Sequence, residues 1–506
     1  MTKDLVLAFA AVGGLWLLVQ SFATRLTVYL LILPFITYLQ IHAPFKDWSL
    51  IPSAILLLTA AVAIGLRPDE PERTRSRPAR GLTILVLVYG GLAIVEAFNP
   101  YLPSLTLGLR GARIFVEPML LYFIGSEVAR RPELMSRILK ILIGTGVVVA
   151  AYGLKQAFFG FDHREVLYYV QNVQDVTLHE QRVFSTMAGA TVFGTYMGLV
   201  AFLCVGLIVN GSRRVVSLGI LIAVCGLDML VTGQRGVIVG AFVAIVVISA
   251  MALVRRNTRN RGVRVAQALT VLVAVLVGMV VITPVQPRTT LLTHKESAFQ
   301  AARLKLANLK APNKDASIAN RELRMRQLGS ALEKVPLGAG SGLNLLVGGA
   351  NKAATHTVLG SSGYGGPGYK PPVPPIPGEL YYYNLGSELG LPGLSLFSAI
   401  LLFGLVAAVG IGVRHPDRRK STVAFCAAGF MVLLLVDSFT VDSLTATQVA
   451  SYFWLFIGVI GRWSQEDRLP SRSFVEIEPR LDLERRMDVG INGSSHDNTR
   501  VGSVRA

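Results

Sequence analysis

Charge and cysteine are both scarce in this chain. Its three cysteines, Cys204, Cys225 and Cys426, fall inside apolar runs, which excludes an exported disulfide framework. Only 16% of the 506 residues are charged against 52% hydrophobic, and the mean hydropathy is +0.52, too apolar for a soluble multidomain protein. The seven histidines are scattered, and neither HExxH nor a DxD pair occurs, so the sequence offers no metal cage. No nucleotide-binding loop is present, and no cofactor is expected. The N-terminus lacks a basic n-region and a small-residue cleavage site; its first apolar stretch reads as a retained helix rather than a signal peptide.

What the chain has is a series of long, nearly uncharged runs, each able at ~1.5 Å per residue to cross a ~30 Å hydrocarbon core. Candidate spans lie near 5–20, 26–42, 48–66, 81–98, 112–129, 138–158, 186–209, 215–233, 236–254, 265–284, 389–413, 421–437 and 446–461. The expected fold is an all-α polytopic membrane protein of about twelve or thirteen transmembrane helices.

The formal charge of +18 raises the question of nucleic acid, but its distribution answers otherwise. Basic residues cluster in short connections: 67–80, 130–137, 213–214, 255–264, 414–420 and the tail after 462. All fall on one side when the spans alternate, and the positive-inside rule makes that side cytoplasmic. Segments 99–111, 159–185 and 285–388 then face outward. The predicted organisation is an N-terminal bundle at 1–284, a large outward (periplasmic) loop at 285–388, C-terminal helices at 389–461 and a disordered cytoplasmic tail at 462–506.

A loop of ~100 residues between two spans is far longer than a connection needs. Residues 295–311 and 317–335 carry apolar residues at helical spacing with basic residues between them, as amphipathic helices on a membrane face do. Residues 359–378 are rich in glycine and proline and read as a mobile strap.

Charges at the rim of a membrane bundle need a reason, because an ionised group in hydrocarbon costs ~2.5–3.5 kcal/mol or more. Arg235 stands in a short outward turn, Gly233–Gln234–Arg235, flanked by glycines; it either snorkels or meets a ligand. Arg182 opens another outward entry, QRVFSTMAGATVFGTYMGLV. Two arginines at one depth suit a pyrophosphate, because the guanidinium fork binds phosphate oxygens bidentately. Arg113 and Glu117, one turn apart, read as a local ion pair. Asp228, deep in an apolar span, reads as hydrogen-bonded to a neighbouring helix, with a proton relay as the alternative. In the loop, Arg321, Arg324 and Arg326 share an amphipathic helix that runs into Pro336–Gly342, a glycine run that forms a turn or offers N–H groups to an anion. Glu379 leads the chain back into the membrane, followed by three tyrosines and Glu388. The tyrosines are expected in an interfacial belt or stacked on sugar rings, and a glutamate in such surroundings can serve as a general base.

Four segments, in order, resemble the bacterial O-antigen ligase and O-antigen polymerase superfamily. RVFSTMAGATVFGTYMGL resembles that family's arginine-plus-small-residue helix entry, and TGQRGV resembles its TxSRG turn. RELRMRQLGSALEKVPLGAGSG resembles its R…W…PLxGxG stretch, with Met325 at the aromatic position. YYYNLGSELGLPGLSL resembles its HNxxLxxLxELGLxG re-entry. The resemblance implies a GT-C-like fold and a metal-independent inverting glycosyltransferase acting on undecaprenyl-diphosphate-linked glycans. It implies that Arg235 and Arg321 bind the donor diphosphate with help from Arg182, and that Arg324 and Glu388 support them. The family's re-entry begins with a histidine that activates the acceptor; here Glu379 holds that position, leaving Glu379 or His356 as the base.

The expected partners are therefore the lipid-linked donor, a glycan or lipid acceptor, membrane lipids and polysaccharide assembly or export proteins, with no nucleic acid. The location is the bacterial inner membrane. Polymerase is favoured over ligase because the histidine is missing. The competing functions are a transporter or flippase of the same lipid-linked glycans, which would place charges and broken helices near mid-membrane, and a non-catalytic envelope scaffold.

Overall fold

A computed structural model describes residues 19–43, 50–65, 80–172, 182–255, 316–346 and 380–466. Among them there is no strand. The helices are α1 (Phe22–Ile32), α2 (Ile36–His42), α3 (Leu50–Gly65), α4 (Arg80–Val95), α5 (Leu105–Val128), α6 (Pro132–Phe159) and α7 (His163–Asn172). They continue with α8 (Ala190–Val209), α9 (Val215–Val231), α10 (Arg235–Val254), α11 (Ala316–Lys334), α12 (Tyr381–Arg414), α13 (Arg418–Asp437) and α14 (Thr447–Glu466). Local chemistry sets several ends. The Ser104 hydroxyl caps α5 by accepting from the Leu107 N–H, and the Asp417 carboxylate caps α13 through the Arg419 N–H. Pro132 opens α6 at the position where its missing N–H costs nothing.

Seven helical stretches are long and apolar enough to cross a membrane, and Ile51–Ala61 and Val215–Val231 are shorter apolar helices. This is a multi-pass, all-helical membrane architecture. Eleven of the thirteen expected spans coincide with helices; those near 5–20 and 265–284 lie outside the described residues, as do the amphipathic segment 295–311 and the strap 359–378. The last helix runs to Glu466, past the expected start of the tail at 462.

Burial sorts the bundle into layers. In α8 and α13, 94% and 83% of the membrane-length window is inside the protein, against 39–50% for the other five long apolar helices. A helix apolar on every side belongs in the centre, and α8 and α13 pack together there with α14, in which every residue from Gln448 to Trp463 is buried. Helices α4, α9 and α10 turn large side chains such as Leu87, Ile220 and Phe242 outward, as a lipid face requires. Small residues allow close approach. A Cβ on Gly125 of α5 would lie 2.2 Å from the Leu455 carbonyl oxygen, and one on Gly458 of α14 would lie 2.1 Å from that of Tyr122.

The basic connections gather at one end. Arg255, after α10, hydrogen-bonds to Asn210 and Ser421 and donates to the His415 carbonyl at 3.2 Å. Lys420 meets Glu466 at 3.1 Å, and the Trp463 indole donates to the Ala129 carbonyl. The connections near 130, 210, 255 and 415 thus share one end, as the charge pattern predicts.

Helix α12 is broken. Gly390 has φ +65°, the left-handed region, and Pro392 follows two residues later. The half before the break, from Tyr381, is wholly buried and packs on α11, so residues 381–388 belong to the bundle rather than to the loop in which the sequence placed them.

Candidate functional site

The end opposite the basic connections holds a glycine turn, a buried half-helix and a set of acids, joined by hydrogen bonds. Helix α11 runs into the turn Pro336–Gly342, where Gly338, Gly340 and Gly342 all have positive φ. The turn docks on the break in α12. The Ala339 N–H donates to the Ser387 carbonyl at 2.8 Å, that of Gly340 to Glu388 at 3.1 Å, and that of Leu391 returns to Pro336 at 2.9 Å. The Ser341 N–H reaches the Glu96 carbonyl, and Gly342 lies against Gly111 of α5. Its donors are consumed by the protein, so the run is a turn and not an anion cradle.

Glu388 sits inside this joint. Its Oε1 accepts from the Asn344 backbone N–H at 2.8 Å, while the Asn344 amide donates to the Ser387 hydroxyl at 2.9 Å. These hydrogen bonds tie the turn to the half-helix.

The three tyrosines are in the core, not in a belt or open to sugar rings. Tyr381 packs edge-on to Phe397, Tyr382 lies against Phe439, and Tyr383 joins Leu328, Ala331, Val335 and Leu343 under α11. The half-helix that carries them is enclosed on all sides, which overrides the tendency of tyrosine to seek the interface. Arg324 lies within electrostatic reach of Tyr383 and donates to Gln327 at 3.2 Å.

Behind the half-helix, Asp437 ends α13. It accepts from Thr195 of α8 at 3.2 Å, from Thr440 at 3.3 Å and from Ser443. The start of α10 presses on this turn: a Cβ on Gly236 would fall 1.8 Å from the Thr440 hydroxyl and 2.9 Å from Asp437 Oδ1. Arg235, the first residue of that helix, is therefore delivered to the Asp437 turn, and the charge of Arg321 also reaches Asp437.

Asp442, in the connection between α13 and α14, takes the Asn384 amide on Oδ2 at 2.5 Å. Asp442 Oδ1 and Asn384 Oδ1 receive no hydrogen bond among the described residues. Burial pushes the Asp442 carboxyl up to about 7 against the pull of the Asn384 and Thr445 donors, and neighbouring Asp437 adds to the rise.

Arg182 belongs to a different part of this end. The Gln156 side chain clamps the segment behind it, its oxygen accepting from the N–H groups of Ser185 at 2.7 Å and Phe184 at 3.3 Å. Gln156 also donates to Glu165. His42 Nε2, Asp162 Oδ2 and a Glu165 oxygen lie close enough together to invite a cation. The Glu165 carboxylate, however, already receives Tyr152, Gln156, the Asp162 N–H and, at 3.4 Å, the Lys155 ammonium. A lysine charge in that position makes the group a latch joining α2, α6 and α7 rather than a metal cage.

Two further expectations meet the structure here. Arg113 and Glu117 pair at 2.6 Å, with Ser53 of α3 bridging them, as predicted. Asp228 is not hydrogen-bonded to a neighbouring helix: it is buried, neither carboxylate oxygen has a partner among the described residues, and the Oδ1 faces Gly153, which offers no side-chain donor. Glu379 and His356 lie outside the described residues.

The sequence reading missed Asp437, Asp442, Asn384 and Thr195. Two acids five residues apart at the outward end of an apolar span, in LVDSFTVDSLT, were the available signal, and it is the same signal that singled out the arginines. A scan of the chain against protein-family models gives no match, and a search of curated proteins finds no relative.

Proposed function

We propose that this chain is a membrane glycosyltransferase that polymerises or transfers undecaprenyl-diphosphate-linked oligosaccharide at the outer face of the bacterial inner membrane. The observation that carries the reading is convergence. Four segments scattered over some two hundred residues, those carrying Thr195, Arg235, Arg321 and Glu388, meet around Asp437, Asp442 and Asn384 at the end opposite the basic connections.

In this reading Arg235 and Arg321 hold the donor diphosphate, and Arg182 assists from the neighbouring segment. Their guanidinium charges neutralise the leaving diphosphate as the bond to the anomeric carbon breaks. Asp437, fixed by three hydroxyls, orients Arg321. Glu388 and Arg324 hold the turn and the half-helix beneath. A base takes the proton of the acceptor hydroxyl as its oxygen attacks the anomeric carbon. Asp442, with one carboxylate oxygen lacking a donor, is the described residue suited to that task, while the resemblance points to Glu379 or His356. No metal enters the scheme. A polymerase is preferred to a ligase because a glutamate stands at the acceptor-activating position.

A transporter of the same lipid-linked glycan is the second reading, favoured by the broken helix α12 and the unpartnered Asp228. Inner-membrane vesicles from a strain lacking the gene hold native donor and acceptor, so adding purified protein separates the two. Longer or newly attached glycan supports transfer. Glycan that crosses the membrane with its linkage unchanged supports transport and ends the transferase reading.

A further inference from the structure

Ser185 is the only non-glycine residue among those described that has a positive φ, 54°. A side chain in the left-handed region is disfavoured, and it persists where the surroundings over-determine it. Here one side chain takes both backbone groups of the residue. The Gln156 amide oxygen accepts from the Ser185 N–H at 2.7 Å, and the Gln156 amide nitrogen donates to the Ser185 carbonyl at 3.1 Å. The same oxygen accepts from the Phe184 N–H at 3.3 Å, and the same nitrogen donates to Glu165 Oε1 at 2.8 Å. Gln156, Ser185 and Glu165 are all buried. Further bonds finish the turn: the Ser185 hydroxyl donates to the Val149 carbonyl at 2.6 Å, that of Thr186 to Pro34 at 2.8 Å and that of Tyr168 to Ala188 at 3.2 Å. Arg182 stands just before this turn, and α8, whose Thr195 reaches Asp437, begins just after it.

We propose that Gln156, itself set by Glu165, is a positioning residue: it holds Ser185 in the left-handed region and so fixes the path on which the chain delivers Arg182 to the outer end. That Arg182 there meets a diphosphate rests on the function proposed above. An arginine that must stabilise a developing charge works best when its backbone is held in place before the ligand arrives, and a strained residue locked by a buried amide supplies that rigidity. A glutamine suits the task because one amide both donates and accepts. Only a side chain of that kind can serve the N–H and the carbonyl of Ser185 together.

Two measurements on the full chain in detergent test this, with Gln156→Met as the variant that keeps the shape and removes the amide. Hydrogen exchange across 182–189 should speed up about tenfold at the Phe184 and Ser185 amides, which lose their acceptor. Unchanged exchange there overturns the positioning claim. Affinity for undecaprenyl diphosphate, read by native mass spectrometry, should fall about tenfold in Arg182→Ala and about threefold to tenfold in Gln156→Met. The double variant should bind no more weakly than Arg182→Ala alone, because Gln156 acts through Arg182. Losses that multiply in the double variant overturn the proposal, since Gln156 then acts apart from Arg182. Gln156→Asn, one methylene too short to span Glu165 and Ser185, serves if Gln156→Met does not fold. If wild type binds none of the lipid, the donor reading fails and takes the diphosphate role of Arg182 with it, and the exchange result alone decides whether Gln156 positions the turn.

Discussion

The backbone N–H of Asn344 donates to Oε1 of Glu388 at 2.8 Å, and that bond closes the glycine turn over the break in α12. Glu388→Ala removes the acceptor and leaves a buried N–H unsatisfied, a loss of about 1–3 kcal/mol. Thermal unfolding in detergent should show it. Glu388→Gln, which keeps a carbonyl oxygen at the site, should lose less.

The contact of α5 with α14 depends on Gly458, where any Cβ meets the Tyr122 carbonyl. Gly458→Leu should destabilise by about 1–3 kcal/mol or more through overpacking. Gly144→Leu, on a surface with nothing within 4 Å of a new Cβ, should fold like wild type. Yield of monodisperse protein and its melting temperature check both.

The helices were legible because lipid imposes long apolar runs, and the ends of those runs were marked by arginine. Which ends share a side was legible for the same reason: Arg255 and Asn210 meet where the charge pattern puts them. The interior of the site was not. Nothing in the period of YYYNLGSELGLPG says that the tyrosines turn inward, because that depends on α11 covering them from sixty residues upstream. Asp437 and Asp442 were missed because their partners Thr195, Ser443 and Asn384 come from other helices and turns and meet them only in the fold. Of the two readings open for the Pro336–Gly342 glycines, a turn or an anion cradle, the turn holds, because their N–H groups are bonded to Ser387, Glu388 and Glu96.

Asp162 accepts from the Glu165 N–H and lies 2.9 Å from His42 Nε2. Burial pulls its carboxyl up, but these contacts outweigh it and hold the group below its ordinary value of 3.8. The contribution to stability is therefore present above about pH 4 and is lost as the pH falls through the folded-state value. The melting temperatures of wild type and Asp162→Asn should differ at pH 6 and converge toward pH 3. A gap that stays constant across that range would show that the latch does not depend on the carboxylate charge.

The Asp442 carboxyl is raised to about 7, so the sign reverses: its contribution is present below 3.8 and is lost as the pH rises through 7. Asp442→Asn should gain stability relative to wild type at pH 8 and not at pH 4. If Asp442 is the base, transfer by wild type should rise with pH through about 7, and the variant should lose both that limb and about 10²–10⁴-fold in rate.

The central claim is that arginines at this end stabilise a departing lipid diphosphate without metal. The direct measurement is release of undecaprenyl diphosphate from lipid-linked oligosaccharide by purified protein in the presence of EDTA, comparing wild type with Arg321→Ala, Arg321→Lys and Arg235→Ala. The account predicts release by wild type, a fall of about 10²–10³-fold in each alanine variant and partial recovery with lysine. Release at the wild-type rate from Arg321→Ala and Arg235→Ala, with both variants folded, would contradict it.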